Sequence, residues 1–229
     1  MELIVHSLEH FGEVCVLRLR TPDSFPVHQV GHYAVLQFAN FAERPYSIAN
    51  APNGKFLEFH IKNSGHAGGS TFATHNLEIG DTVIFHRFGG NYTLVPNCPR
   101  PLILVAGGTG LSPMLAITEA SLQNNPDRAI FLYYGARHHQ DLYYDRHLRE
   151  KMVLFPRFSY IPTLSEENKA GIEFGSVGDI ALQHPELLKS RLYVAGPVDM
   201  LRTTIDKALA AGVSPDVIHS DYRELDRTK

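Results

Sequence analysis

The chain has 229 residues, 44% of them hydrophobic and 20% charged, enough to bury one large core or two modest ones. Its 21 basic and 24 acidic residues are mixed along the sequence and leave a formal net charge of -3, so no basic stripe is offered to a nucleic-acid backbone. The most apolar run, PLILVAGG, is far shorter than the ~18 residues a membrane span needs, and MELIVHSLEH lacks the basic start and apolar core of a signal peptide, so a cytoplasmic protein with no membrane span is expected.

Up to about residue 97 the chain is a series of short alternating segments: VCVLRLR, YAVLQFA, RPYSIAN, KFLEFHIKN and TVIFHRF. Turn residues separate them, among them Pro22-Asp23, Pro52-Asn53-Gly54 and Gly80-Asp81. Strands this closely spaced predict an antiparallel barrel or sandwich, with one short helix at Ser70 to His75 after GHAGG.

The rhythm changes after VPNCPRP. Buried-looking strands LILVA, AIFLYY, FSYIP, RLYVA and DVIHSDY alternate with helical stretches MLAITEASLQ, LYYDRHLREK, SVGDIALQ and MLRTTIDKALA. That alternation predicts an α/β unit with a parallel sheet and helices on both faces. Two prolines between Val95 and Arg100 put the division at 1–97 and 98–229.

The second unit opens on LVAGGTGLSPM. Gly107, Gly108 and Gly110 let backbone amides approach a phosphate, and Ser112-Pro113 reads as a helix start with serine as N-cap and proline first in the helix. An ordinary glycine-rich turn fits this stretch equally well, since Pro113 stands where GxGxxG would have its third glycine. Two more predicted strands end in glycine, in YYGARHHQ and YVAGPVDM, at the carboxyl edge where open parallel sheets bind ligands. Arg137 stands where a dinucleotide fold commonly has an acid, and suits either a phosphate or solvent.

Cysteine occurs only at positions 15 and 98 and no CxxC is present, so these residues supply neither a disulfide framework nor a four-thiolate cluster. The 13 histidines are scattered without HExxH, and the pair His138-His139 has no companion at ligand spacing, so no metal site is expected.

Taken in order, RPYS, HIK, GGST, GGTGLSPM, GAR and AGPVDM resemble the ferredoxin-NADP reductase superfamily along essentially the whole chain, and most of all single-chain NAD(P)H:flavin reductases and oxygenase reductase components. The resemblance implies a flavin-binding β-barrel followed by a nucleotide-binding domain. It implies FAD, with FMN as the alternative, and NADH or NADPH as co-substrate. Arg44 would hold flavin phosphate, Pro45 and Tyr46 would lie along the flavin, and Ser47 would hydrogen-bond near its N5; Tyr46 and Ser47 would be the groups at the reacting atoms. Backbone at His60, Ile61 and Lys62 would contact the ring, while Gly68, Gly69, Ser70 and Thr71 would receive phosphate. The nucleotide would take Gly107, Gly108, Thr109, Gly110, Pro113, Gly135, Arg137, Gly196, Pro197, Asp199 and Met200.

Two departures stand out. Ala195 replaces the cysteine that many members carry before the last Gly-Pro, and Tyr222 is followed by RELDRTK where several members end in an aromatic residue. The resemblance implies hydride transfer from reduced nicotinamide to flavin, with no iron-sulfur cluster in the chain. Electrons would leave to a ferredoxin-like or oxygenase partner, for which Arg137–Lys151 and Arg223–Lys229 are docking candidates, or in reduced free flavin. A flavin-binding regulatory subunit, inactive alone, is the alternative. Arg137 with no second basic partner, and with Asp141 nearby, favours NADH or use of both nucleotides.

Overall fold

The computed structural model of the chain describes residues 1–220; the expectations attached to Tyr222 and to Arg223–Lys229 lie outside them. The first half forms strands β1 (Glu2–Phe11), β2 (Val14–Arg20), β3 (Tyr33–Gln37), β4 (Arg44–Ser47), β5 (Phe56–Lys62) and β6 (Thr82–Gly89), with helix α1 (Gly69–His75) between the last two. They make one antiparallel sheet in the order β4-β3-β6-β1-β2-β5. Its ends meet where the chain leaving β4 turns beside β5 and the Ala49 amide donates to the Glu58 carbonyl at 2.8 Å, which gives the expected barrel.

Alternation explains which faces are buried. In β5, Leu57, Phe59 and Ile61 point into a core shared with Leu3, Val5, Leu17, Leu19 and Leu36, whereas Glu58, His60 and Lys62 alternate to the outside. Strand β1 was absent from the sequence reading. Its apolar alternation holds only at Leu3 and Val5, and the rest of its length is held by pairing with β2 across a two-residue turn in which Gly12 adopts φ 56°.

The second half contains β7 (Leu102–Gly107), α2 (Leu111–Asn124), β8 (Ile130–Ala136), α3 (Asp145–Leu154), β9 (Phe158–Leu164), β10 (Glu173–Phe174), α4 (Val177–Ala181), β11 (Arg191–Ala195), α5 (Val198–Ala210) and β12 (Ile218–His219). All its strand pairs are parallel, in the order β10-β9-β8-β7-β11-β12. The order therefore reverses between β7 and β11, the switch point at which such sheets open a ligand crevice. Strand β7 is buried on both faces, Leu102, Leu104 and Ala106 in one core and Ile103 and Val105 in the other. Tyr92 and Leu94 precede residue 97 yet pack into the first of these cores, so contact with the second sheet begins before the sequence boundary.

Two predicted helix starts move. A 3-10 turn at Gly108–Gly110 runs directly into α2, so Gly110 is its N-cap and Ser112, the expected cap, lies buried inside the first turn. Helix α3 starts at Asp145 rather than Leu142, because a 3-10 turn at His139–Asp141 breaks the helical path and leaves Tyr143 and Tyr144 in the connection. Among the described residues no helix is long and apolar enough to cross a membrane.

Candidate functional site

Two neighbourhoods gather the residues singled out by sequence. The first lies on the barrel, where β4 runs beside α1 and the Tyr46 hydroxyl is 3.0 Å from Ser70 Oγ. RPYS and GGST are thus brought together. The Tyr46 ring packs edge-on against Phe38 at 5.5 Å, and burial raises its hydroxyl above the ordinary tyrosine range. Arg44 is exposed at the strand end, and its guanidinium has no hydrogen-bond or ion-pair partner among the described residues. Ser47 is half-buried, Pro45 exposed and Ile61 part of the barrel core. Thr71 is already engaged: its hydroxyl lies 2.6 Å from the His66 carbonyl, to which it donates, and 3.0 Å from Asn63 Oδ1.

The second neighbourhood is a cleft of about 880 Å³ at the carboxyl edge of the parallel sheet. Lys62, Gly107, Gly108, Thr109, Gly135, Arg137, Pro197 and Met200 line it; the barrel residues Arg44 to Ser47 and Gly68 to Thr71 do not. Four expected members sit elsewhere. Gly110 is tucked under the Ala195 carbonyl, Gly196 packs on Gly107, Pro113 is buried in α2, and Asp199 faces solvent paired with Arg202 at 3.2 Å. The sequence reading missed the β1–β2 turn at Phe11 to Val14, as well as Tyr143 and Thr163. Gly12 between two alternating runs was the available signal for that turn; nothing local marks Tyr143.

The glycines divide by cause. A Cβ on Gly135 would stand 2.7 Å from Val177 Cβ, so packing of a neighbouring element requires that glycine; one on Gly107 would stand 2.7 Å from Met200 Sδ, which the flexible Met200 side chain would have to vacate. Gly108 differs: its φ is 54° and nothing lies within 4 Å of where a Cβ would be, which leaves its backbone open to the cleft.

Charge is arranged to suit an anion at two places. The starts of α1 and α2 have neither a side-chain cap nor an acid in the first turn. By contrast α3, α4 and α5 carry Asp145, Asp179 and Asp199 in their first turns. At the α1 start, and at the glycine turn Gly108–Gly110 that leads into α2, backbone amides with no carboxylate in the first turn favour a phosphate oxygen. The Thr163 hydroxyl, buried at the cleft wall, also has no partner among the described residues. These features fit a phosphate-bearing cofactor on the barrel and a nucleotide in the cleft. At the far end of the cleft Arg137 is 77% exposed in its side chain and faces Glu166 at 3.5 Å, while His138 lies 3.6 Å from Asp141 and 3.9 Å from Glu166.

Barrel and sheet meet beside the cleft. The Ala51 amide, just after RPYS, donates to Glu119 of α2 at 2.7 Å. Phe11 packs on Tyr144 and His147, with ring centroids 5.6 and 5.7 Å away.

Residues 104–206 match the family described as the oxidoreductase NAD-binding domain. The ferredoxin--NAD(P)(+) reductase component of the naphthalene 1,2-dioxygenase/salicylate 5-hydroxylase systems of Ralstonia sp is 30% identical over 211 residues, covering 90% of this chain and 64% of that protein. The naphthalene 1,2-dioxygenase reductase component of Pseudomonas putida is 29% identical, covering 90% and 62%. This chain thus spans just under two thirds of the length of these curated relatives. A cytochrome P450 reductase of Amycolatopsis superposes with a TM-score of 0.87 at 27% identity, over 96% of this chain and 69% of that one. The ferredoxin reductase in carbazole 1,9a-dioxygenase gives 0.86 at 25% identity, over 96% and 68%.

Proposed function

Because the chain belongs to the ferredoxin-NADP reductase superfamily, we propose that it is a flavin-dependent NAD(P)H oxidoreductase. Reduced nicotinamide gives up a hydride at the cleft, and electrons pass onward to a separate ferredoxin-like or oxygenase partner or leave in reduced free flavin. The observation that carries this reading is the cleft at the switch point of the parallel sheet, bordered by Gly107, Gly108 and Thr109 of an acid-free turn whose Gly108 backbone is open to it. We place the two functional units on either side of the connection 90–101, and the protein in the cytoplasm, where reduced nicotinamide is available.

A bound flavin, FAD in this reading, supplies hydride acceptance and the conversion of a two-electron donor into one-electron steps. The chain does the rest. Arg44 offers a guanidinium to its phosphate and the α1 start offers amides. Tyr46 offers a ring face, Ser47 a hydroxyl, and the backbone at His60, Ile61 and Lys62 lines the approach to the cleft. Gly107 to Gly110 and the α2 start receive the nucleotide pyrophosphate, with Gly108 the point of closest backbone approach. Gly135 and Arg137 border the adenosine end, Pro197 and Met200 the nicotinamide end. Gly110, Pro113 and Gly196 act by shaping these turns, and Asp199 through its Arg202 pair. Cys15 and Cys98 lack the number and spacing for an iron-sulfur cluster within these 229 residues.

The test is the absorption spectrum of the protein mixed with FAD and then with FMN, followed by anaerobic titration with NADH and with NADPH. Binding of flavin and its bleaching by one nucleotide is the expected result. Binding without bleaching would overturn the assignment in favour of a regulatory subunit, and no binding would remove flavin from the reading.

A further inference from the structure

The outer face of β5 carries an acid and a histidine that are almost fully buried: Glu58 is 7% exposed and His60 5%. They belong to a hydrogen-bonded chain that crosses from barrel to sheet. Arg18 Nε donates to Glu58 Oε2 at 2.6 Å. His60 Nε2 lies 3.2 Å from Glu58 Oε1, and its Nδ1 lies 2.9 Å from the hydroxyl of Tyr143, on the connection between β8 and α3. The Ser112 hydroxyl, in the first turn of α2, is a further hydrogen-bonding neighbour of Tyr143.

The directions along this chain are mutually consistent. Burial holds the Tyr143 hydroxyl in its protonated form, well above the ordinary tyrosine range. The Glu58 carboxylate can only accept, so the His60 ring proton sits on Nε2; in the neutral imidazole Nδ1 is then the acceptor and the Tyr143 O–H its donor. Around this chain the contacts are aromatic: the His60 ring is 5.2 Å from Tyr144, and Tyr143 is 6.3 Å from Phe11 and 6.1 Å from Tyr134. Flat rings resist separation of two surfaces but fix their lateral register weakly, whereas a directional hydrogen bond fixes it. A buried ion pair contributes little net stability over well-packed apolar residues, so its value here is geometric. Tyr143 also lines the nucleotide cleft, and Ser112 sits in the helix that the glycine turn feeds.

We propose that His60 and Tyr143 are a positioning pair that sets the register between barrel and parallel sheet, and with it the spacing across the cleft. Neither side chain needs to touch a reacting atom. The consequence for hydride transfer rests on the function proposed above; the register itself does not.

The test uses the full chain with Tyr143→Phe, His60→Gln and the double variant. Tyr143→Phe removes one oxygen and keeps the ring packing, so it serves if His60→Gln fails to fold. Hydrogen exchange at the Ala51 amide and at residues 111–115 of α2 reads the register without any cofactor. Each single variant is expected to speed exchange there by about three- to tenfold, the scale of one lost hydrogen bond, and the double variant by no more than the larger single effect. In turnover, kcat is expected to fall by a similar factor while the nucleotide KM moves by less than about twofold, as for a group acting on geometry rather than binding. Unchanged exchange, or effects that add in the double variant, would overturn the pair. A rise in KM at constant kcat would also overturn it, by making Tyr143 a simple binding residue. If wild type fails to reduce flavin, the functional reading falls and the exchange measurements still decide the positioning.

Discussion

At the residue scale, the proposed function puts nucleotide choice at Arg137. Its guanidinium and the Glu166 carboxylate are both largely exposed at 3.5 Å, so the pair is worth about 0 to 1 kcal/mol. In the binding mode proposed above, Glu166 and Asp141 place carboxylates near where a 2'-phosphate would need positive charge. Glu166→Gln is expected to raise kcat/KM for NADPH by about three- to tenfold through removal of that repulsion, with little change for NADH; the comparison of both nucleotides in both proteins is the measurement. A strong wild-type preference for NADPH that vanishes in Arg137→Ala would reverse the assignment. Arg44 presents the simpler case of a cation with no ion-pair partner among the described residues. Arg44→Ala should weaken flavin binding by roughly 1 to 3 kcal/mol, the scale of a charge-assisted hydrogen bond. Fluorescence quenching gives the affinity, and an unchanged value would move the phosphate elsewhere. Both arginines were legible in the sequence from the short motifs around them. Glu166 was not, because it reaches Arg137 from the end of a different strand, 29 positions later in the chain.

The glycine-rich turn between β7 and α2 combines two demands at the scale of the element. Gly110 is fixed by the fold: a Cβ there would strike the carbonyl of Ala195, a backbone atom with nowhere to go. Gly108 is free of such contact and carries only its positive φ. Gly110→Ala should therefore destabilise the protein by roughly 1 to 3 kcal/mol, the usual range for overpacking, in chemical denaturation. Gly108→Ala should cost only about 1 to 2 kcal/mol from left-handed strain, and should show its larger effect on nucleotide affinity. Equal stability losses with equal affinities would mean that the turn is packed uniformly and opens to no ligand. The pattern of apolar runs sufficed to place five of the six parallel strands and most helices, since buried β7 and amphipathic α5 follow directly from their patterns, but not the exposed two-residue β10. Helix starts were less legible. Ser112-Pro113 is a good start by local preference, yet the preceding 3-10 turn extends the helix backwards and turns Ser112 inward toward Tyr143. The same kind of turn at His139–Asp141 holds Tyr143 outside α3, where it reaches the barrel.

At the scale of the molecule, the contact between the two halves was illegible in sequence because it pairs residues as distant as His60 and Tyr143. Its buried charges nevertheless make a prediction for the whole fold. Burial would raise the Glu58 carboxyl, but the hydrogen bonds from His60 and Arg18 and the Arg18 charge outweigh it and hold the group below its ordinary 4.5. Burial also lowers His28, His32 and His184 below 6.5, while burial and the Arg191 guanidinium bring His219 down to about 4. For His219 the geometry gives the reason: Arg191 Nη1 donates to its Nε2 at 3.0 Å, and the ring stacks on Tyr193 at 4.3 Å. A proton on Nε2 would end that bond and meet a cation. All of these groups have folded values below their unfolded ones, so the unfolded chain binds more protons as pH falls, and their stabilising contribution, complete above the unfolded value, is lost on acidification. The loss should come in two limbs. The first begins below pH 6.5 as the unfolded histidines protonate and continues, for His219, to about pH 4; the second begins below 4.5 with Glu58. Thermal unfolding followed from pH 7.5 down to 3.5 should show Tm falling through both limbs. His219→Gln should flatten the first limb and leave the second in place. Glu58→Gln should do the reverse while lowering Tm at pH 7, where Arg18 and His60 lose their carboxylate partner. A Tm that stays level from pH 7 to 4.5 would mean that the buried histidines bind protons as readily in the folded protein as in the unfolded chain.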